Sequence, residues 1–209
     1  MNALVVLGGD APSRALLESC AHQADLTIAA DRGLEAFAAA GIVPELLIGD
    51  MDSVDASILR AYEGKVDQTR LCCQKDDTDG EAALNLAARH GAKVVTFLGA
   101  LGGRMDHALA NLMLLNLAHR LGIRAQILDE HVRILRVDGE CVLSGGKGDT
   151  VSLLPLGEAR GVTLEGFFYP LEHATLTSTS TLGVSNVVNA ERAAIYVEEG
   201  DLLLFHYYA

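Results

Sequence analysis

From residue 1 to about 128, short apolar runs alternate with helix-like segments, and acidic residues stand directly after several of the runs. The runs 1–7, 26–30, the run ending at Asp50, 66–73, 93–98 and 123–128 read as strands. Between them, 12–22, 34–40, 55–63, 79–90 and 106–121 read as helices. The helix boundaries carry their own signals. Pro12 suits a first turn, Thr78-Asp79-Gly80-Glu81 fits a capping box, and Gly41, Gly64, Gly91 and Gly122 stand where helices should stop. Strands separated by helices are joined by crossovers, so the alternation predicts a doubly wound, mostly parallel, Rossmann-like sheet. Ligands of such sheets bind beyond the carboxyl ends of the strands. Asp31, Asp50 with Asp52, Asp76 with Asp79, and Arg104 with Asp106 each follow a candidate strand, so one sheet edge should gather them all.

The pattern changes after about residue 130. Short β-rich runs at 132–137, 140–143, 150–154, 162–164, 174–176, 193–197 and 202–207 are punctuated by glycines, and no long helical pattern remains. This predicts a C-terminal all-β sandwich or barrel. The expected domains are 1–129, α/β and catalytic, and 130–209, β-rich. The segment 106–121 is apolar nearly all round and is expected to be buried.

The chain has 209 residues and a formal net charge of -12. That charge argues against nucleic acid and anionic membrane as partners. No apolar run reaches the length of a membrane span, and residues 1–8 read as a first strand rather than a leader. Cys20, Cys72, Cys73 and Cys141 lack metal-site spacing, so free thiols in a reducing cytoplasm are expected.

The chemistry follows from the strand tips. Asp50 and Asp52, one residue apart, repel unless a positive charge lies between them. With Asp76 and Asp79 they form an oxygen-only set suited to Mg²⁺, Mn²⁺ or Ca²⁺, and Mg²⁺ commonly completes its shell with substrate phosphates. The glycines of 99–103 allow close approach of backbone N–H groups to an anion, the next helix offers its positive end, and Arg104 can clamp phosphate oxygens. Metal-holding acids beside a phosphate cradle point to phosphoryl-type transfer from a metal–nucleotide complex. Neither a Walker P-loop nor a Gly-x-Gly-x-x-Gly fingerprint is present, so the nucleotide site is of another kind.

Six segments in order then carry a resemblance: Ala30-Asp31-Arg32-Gly33, Gly49-Asp50-Met51-Asp52-Ser53, Lys75-Asp76-Asp77-Thr78-Asp79, Gly102-Gly103-Arg104-Met105-Asp106-His107 with Asn111, Tyr169-Pro170-Leu171, and Gly183-Val184-Ser185-Asn186. Together the chain resembles the thiamine pyrophosphokinases. The resemblance implies an ATP-dependent enzyme that transfers diphosphate to the hydroxyethyl group of thiamine and releases AMP. It implies that Asp50, Asp52, Asp76 and Asp79 surround Mg²⁺ and the ATP phosphates, with Arg104 catalytic beside them. Asp31, Thr78, Asp106, His107 and Asn111 would position ATP, and Ser185 and Asn186 would hold thiamine. It further implies a cytoplasmic homodimer with its active site near the subunit interface. Trp is absent, so Tyr196, Phe205, Tyr207 and Tyr208 are the candidates to stack on thiamine. Three rivals remain at this point: a diphosphokinase for another alcohol such as a pterin, a haloacid-dehalogenase-like phosphatase with Asp50 as nucleophile, and a non-catalytic thiamine or nucleotide sensor.

Overall fold

The computed structural model describes residues 1–70 and 78–208. The chain divides into two units, Met1–Glu130 and His131–Ala209.

The first unit alternates β1 (Asn2–Val6), α1 (Arg14–Gln23), β2 (Leu26–Ala30), α2 (Gly33–Ala40), β3 (Leu46–Gly49), α3 (Ala56–Tyr62), β4 (Asp67–Arg70), α4 (Asp79–Arg89), β5 (Val94–Leu98), α5 (Met105–Arg120) and β6 (Arg124–Leu128). The strands lie in the order β4-β3-β2-β1-β5-β6, and every neighbouring pair is parallel. Chain order therefore reverses between β1 and β5. Every residue of β2 and β3 is buried, which is why these strands read as continuous apolar runs rather than alternating ones. Leu4 and Val6 of β1, Ala29 of β2, Leu47 of β3 and Leu98 of β5 pack with Leu17, Leu34 and Phe37 from the helices.

Local signals set the helix ends. The Ser13 hydroxyl accepts from Leu16 N–H at 3.1 Å and caps α1, so the helix starts just after Pro12 rather than on it. The Thr78 hydroxyl accepts from Glu81 N–H at 3.2 Å, as the capping pattern predicts. Gly41 closes α2 in the left-handed region, at φ 73°. On α5 the expectation of burial fails. Ala108, Leu114, Leu115 and Ala118 are buried, but Met105, Leu109 and Met113 are 79%, 52% and 51% exposed. A helix lying on a sheet buries one face only, and an apolar opposite face does not by itself supply a partner.

The second unit is antiparallel throughout. It comprises β7 (Val132–Val137), β8 (Glu140–Ser144), β9 (Thr150–Glu165), β10 (Leu171–Thr177), β11 (Asn186–Val187), β12 (Arg192–Tyr196) and β13 (Glu199–Tyr207). Their order is β7-β13-β9-β12-β8, with β10 and β11 also paired to β9. The runs 150–154 and 162–164, read separately from sequence, are parts of one strand. Pro155 and Gly157 do not end it, because the register against β13 shifts between Gly200 and Leu202 and absorbs the irregularity as a bulge. Val151, Leu153, Val162, Leu164, Ile195 and Leu204 meet in the core of this unit. Among the described residues, no helix is long and apolar enough to cross a membrane.

Candidate active site

The reversal between β1 and β5 opens a cleft of about 550 Å³ at the carboxyl ends of the strands, where ligands of such sheets bind. Gly8 and Gly9 after β1, Asp31 and Arg32 after β2, Asp50, Asp52 and Ser53 after β3, and Gly102 to Arg104 after β5 line it. Thr78, Asp79 and Gly80 at the start of α4, and His107 and Asn111 on α5, complete the wall.

Unusual backbone geometry holds the acids together. Asp31 turns out of β2 at φ 48°, and its N–H donates to Ile48 O at 2.9 Å. Gly49 faces it closely: a Cβ at Gly49 would lie 3.2 Å from the Asp31 Cα and Cβ. Met51, at φ 65°, is buried in the core of the unit. Its anchored side chain leaves the flanking Asp50 and Asp52 to the cleft. Non-glycine residues in the left-handed region persist where their surroundings over-determine them, and they concentrate at functional sites.

Oxygens of Asp31, Asp50 and Asp52, one from each, lie within 4.8 Å of one another. The Ser53 hydroxyl donates to Asp31 Oδ2, and Asp52 N–H donates to Asp50 Oδ1 at 3.2 Å. Asp31 Oδ1 is buried and has no hydrogen-bond partner among the described residues. Burial pushes the Asp31 carboxyl above its ordinary range. The hydrogen bond from Ser53 opposes this, and the negative charges of Asp79 and Asp50 add to it. Three hard oxygen donors and one orphaned buried oxygen fit a divalent cation with oxygen ligands. Asp31, read from sequence as a nucleotide contact, thus stands with Asp50 and Asp52. Asp79 lines the same cleft, and Asp76 lies outside the described residues.

The opposite wall is the glycine loop. Gly9 N–H donates to Gly99 O at 2.8 Å, and Asp10 N–H donates to Leu101 O at 2.7 Å, so the loops after β1 and β5 are laced together. Asn111 Nδ2 donates to Ala100 O at 2.8 Å and pins the loop from α5. Arg104 is the N-cap residue of α5 but makes no side-chain cap; its guanidinium holds the Asp106 carboxylate instead. His107 is exposed at the cleft.

In the second unit, Ser185 adopts φ 57° and its N–H donates to Ser152 Oγ at 3.0 Å, with its own side chain exposed. Asn186 is 4% exposed. Its Oδ1 accepts from Tyr169 N–H at 3.0 Å and from Val187 N–H at 2.9 Å, and its Nδ2 donates to Tyr169 O at 2.7 Å. The side chain is therefore spent on holding Tyr169, whose ring meets Phe168 edge to face at 4.9 Å. Phe168 and Tyr169 are 61% and 62% exposed. Of the aromatics considered for stacking, Tyr196 and Phe205 are half-buried and Tyr207 and Tyr208 exposed.

Gly8, Gly9 and Ser53 belong to the cleft without having been singled out for roles in sequence. The glycine pair after a first strand was visible, but its place at the reversal depends on strand order.

Two family models match the chain. The catalytic domain of thiamin pyrophosphokinase matches residues 17–127, and its vitamin B1 binding domain matches residues 135–204. A thiamine pyrophosphokinase of Bacillus subtilis strain 168 is 29% identical over 183 residues, 86% of each chain. The crystal structure of a Bacillus subtilis thiamine pyrophosphokinase superposes with a TM-score of 0.86 at 26% identity, covering 100% of both chains. The Candida albicans thiamin pyrophosphokinase shares the fold at a TM-score of 0.86 and 15% identity, over 100% of this chain and 89% of that one. The motifs at the strand tips, the cleft they build and both domain matches agree: the chain belongs to the thiamine pyrophosphokinase family.

Proposed function

We propose that this cleft transfers a diphosphate group from ATP to the hydroxyethyl oxygen of thiamine, giving thiamine diphosphate and AMP. Membership of the family, with both of its domains matched, carries the reaction. What ties the reaction to this cleft is one observation: three carboxylates with an orphaned buried oxygen face a glycine loop and an arginine across a single cavity.

In this reading Asp31, Asp50 and Asp52 hold Mg²⁺, with Asp79 and, by the family resemblance, Asp76 also assigned to the metal and the ATP phosphates. Bound there, the cation would neutralise phosphate charge and make the β-phosphorus a better electrophile. The chain's own groups do the positioning. Thr78 starts α4 beside the acids, with its hydroxyl engaged as a cap. Asn111 acts through the loop, fixing Ala100 so that the glycines present their amides to phosphate. Arg104, with Asp106 bracing it and His107 beside it, clamps phosphate oxygens as charge builds on the departing AMP. The thiamine hydroxyl attacks the β-phosphorus in line as the bond to AMP breaks, its proton passing to a carboxylate for which Asp79 and Asp76 are the candidates. Holding the reactants in that geometry supplies a large part of the acceleration.

Ser185 and Asn186 serve thiamine. Asn186 does so by fixing the Tyr169 backbone, and Ser185 offers an exposed hydroxyl at a constrained turn. The active form is a homodimer with this cleft near the subunit interface. Support comes from the exposed apolar face of α5, Met105, Leu109 and Met113, on the helix that starts at the cleft. A cytoplasmic location suits Cys20 and Cys141, which are free thiols.

The test is turnover by purified Asp50→Asn and Asp79→Asn, with circular dichroism to verify folding. Both variants should fold and lose most activity. Near-normal turnover in either would contradict its assignment.

A further inference from the structure

The acid set contains one residue that is not an acid. Ser53 donates its hydroxyl to Asp31 Oδ2 and lies 3.1 Å from Asp52 Oδ1. With its one proton given to Asp31, it ties the loop after β3 to the carboxylate at the tip of β2. Its own place is fixed from both sides. Met51 and Val54 are buried in the core at 7% exposure each, and Asp55 N–H donates to Glu35 Oε1 on α2 at 3.1 Å. The hydroxyl is therefore presented by an anchored loop. The hydrogen bond occupies one oxygen of Asp31 and leaves the other, Oδ1, buried and without a partner among the described residues.

We infer that Ser53 is a positioning residue for the cation: by donating to Asp31 Oδ2 it fixes the orientation of the Asp31 carboxylate beside Asp50 and Asp52. The inference rests on the reading that Asp31, Asp50 and Asp52 hold a divalent cation. A carboxylate free to rotate at Asp31 would have to be ordered each time a cation bound, in a place where Asp50 and Asp79 already repel it. The serine does that ordering in advance. Hydrogen-bond partners of metal ligands change metal affinity by about 10–100-fold when removed.

The experiment is Mn²⁺ binding to the full chain, read by electron paramagnetic resonance of free Mn²⁺ in the presence of the non-reacting α,β-methylene analogue of ATP. It compares wild type, Ser53→Ala, Ser53→Cys, Ser53→Thr and Asp31→Asn. Ser53→Ala should weaken Mn²⁺ binding by about 10–100-fold, and Ser53→Thr, which keeps the hydroxyl, should bind near the wild-type value. Ser53→Cys, a weak donor of similar size, should follow alanine and stands in for it if alanine fails to fold. In turnover, raised Mg²⁺ should restore Ser53→Ala while the KM for thiamine stays unchanged. Wild-type Mn²⁺ affinity in Ser53→Ala or Ser53→Cys would overturn the inference. If Asp31→Asn loses binding while Ser53→Ala keeps it, the cation reading stands and the role of Ser53 falls. Absence of Mn²⁺ binding in wild type would overturn both.

Discussion

Arg104 grips Asp106 through two nitrogens, with Nη2 2.5 Å from Oδ2 and Nε 3.1 Å from Oδ1. Both side chains are mostly exposed, so the pair does little for stability. It does fix the direction of the guanidinium at the start of α5. The same contact pulls the Asp106 carboxyl down to about 2. Asp106 is therefore ionised throughout the neutral range, and the pair should not appear in the pH profile there.

Replacing Arg104 should accordingly cost catalysis and spare the fold. Arg104→Ala should lower kcat by about 10²–10³-fold, the usual scale for removing one preorganised donor, with no significant change in Tm. Arg104→Lys should recover little, because a lysine ammonium cannot form the two-pronged contact. Steady-state kinetics with thermal melts check both. Loss of Tm would assign Arg104 to the fold instead.

Asp31 should show the opposite trade. Burial and the charges of Asp50 and Asp79 raise its pKa, so the folded state binds its proton more tightly than the unfolded chain does. Its favourable contribution is full below the unfolded pKa and is lost as pH rises through the folded value. In EDTA, Asp31→Asn should therefore melt higher than wild type at neutral pH, and the gap should close as the medium is acidified. Asparagine also tolerates the φ of 48° found there. The same variant should be inactive. A lower Tm at neutral pH would mean that Asp31 stabilises the fold as an anion.

Gly33 opens α2 against β1, and a Cβ on it would collide with Val6 O. Backbone cannot step aside as a flexible side-chain end can. Gly33→Ala should destabilise the first unit by about 1–3 kcal/mol, the usual scale for overpacking. Urea denaturation measures it; unchanged stability would show that α2 shifts freely.

Asn186→Ala leaves the Tyr169 N–H and C=O and the Val187 N–H without their side-chain partner. The cost should be about 1–3 kcal/mol for each group left buried and unmet. The KM for thiamine should rise and that for ATP should not. Ser185→Ala should weaken thiamine use with little change in stability. An ATP-only defect in either variant would mean that the substrates are assigned the wrong way round.

Much of this was legible in the residues because period and punctuation are local. The apolar runs and the glycines after helices located the parallel strands, and the acids after them located the cleft edge. Strand order is not local: nothing in 1–10 announces that β1 lies beside β5, so the place of Gly8 and Gly9 in the cleft cannot be read from sequence. Side-chain direction is not local either. Asn186 stands in the 183–186 segment that carries the resemblance, yet its amide faces the backbone of Tyr169, seventeen residues away. Pro155 and Gly157 read as a break because a bulge that continues a strand uses the same residues as a turn that ends one. On α5, composition gave the apolar character of Met105, Leu109 and Met113 but not which face the sheet would cover.

The function proposed for this cleft is metal-dependent diphosphate transfer to thiamine. Its most direct test is to incubate the purified chain with ATP, Mg²⁺ and thiamine and to identify the products by mass spectrometry, with an EDTA control. AMP and thiamine diphosphate should form in equal amounts, and EDTA should abolish both. ADP with thiamine monophosphate, free phosphate, or AMP formation that survives EDTA would contradict it.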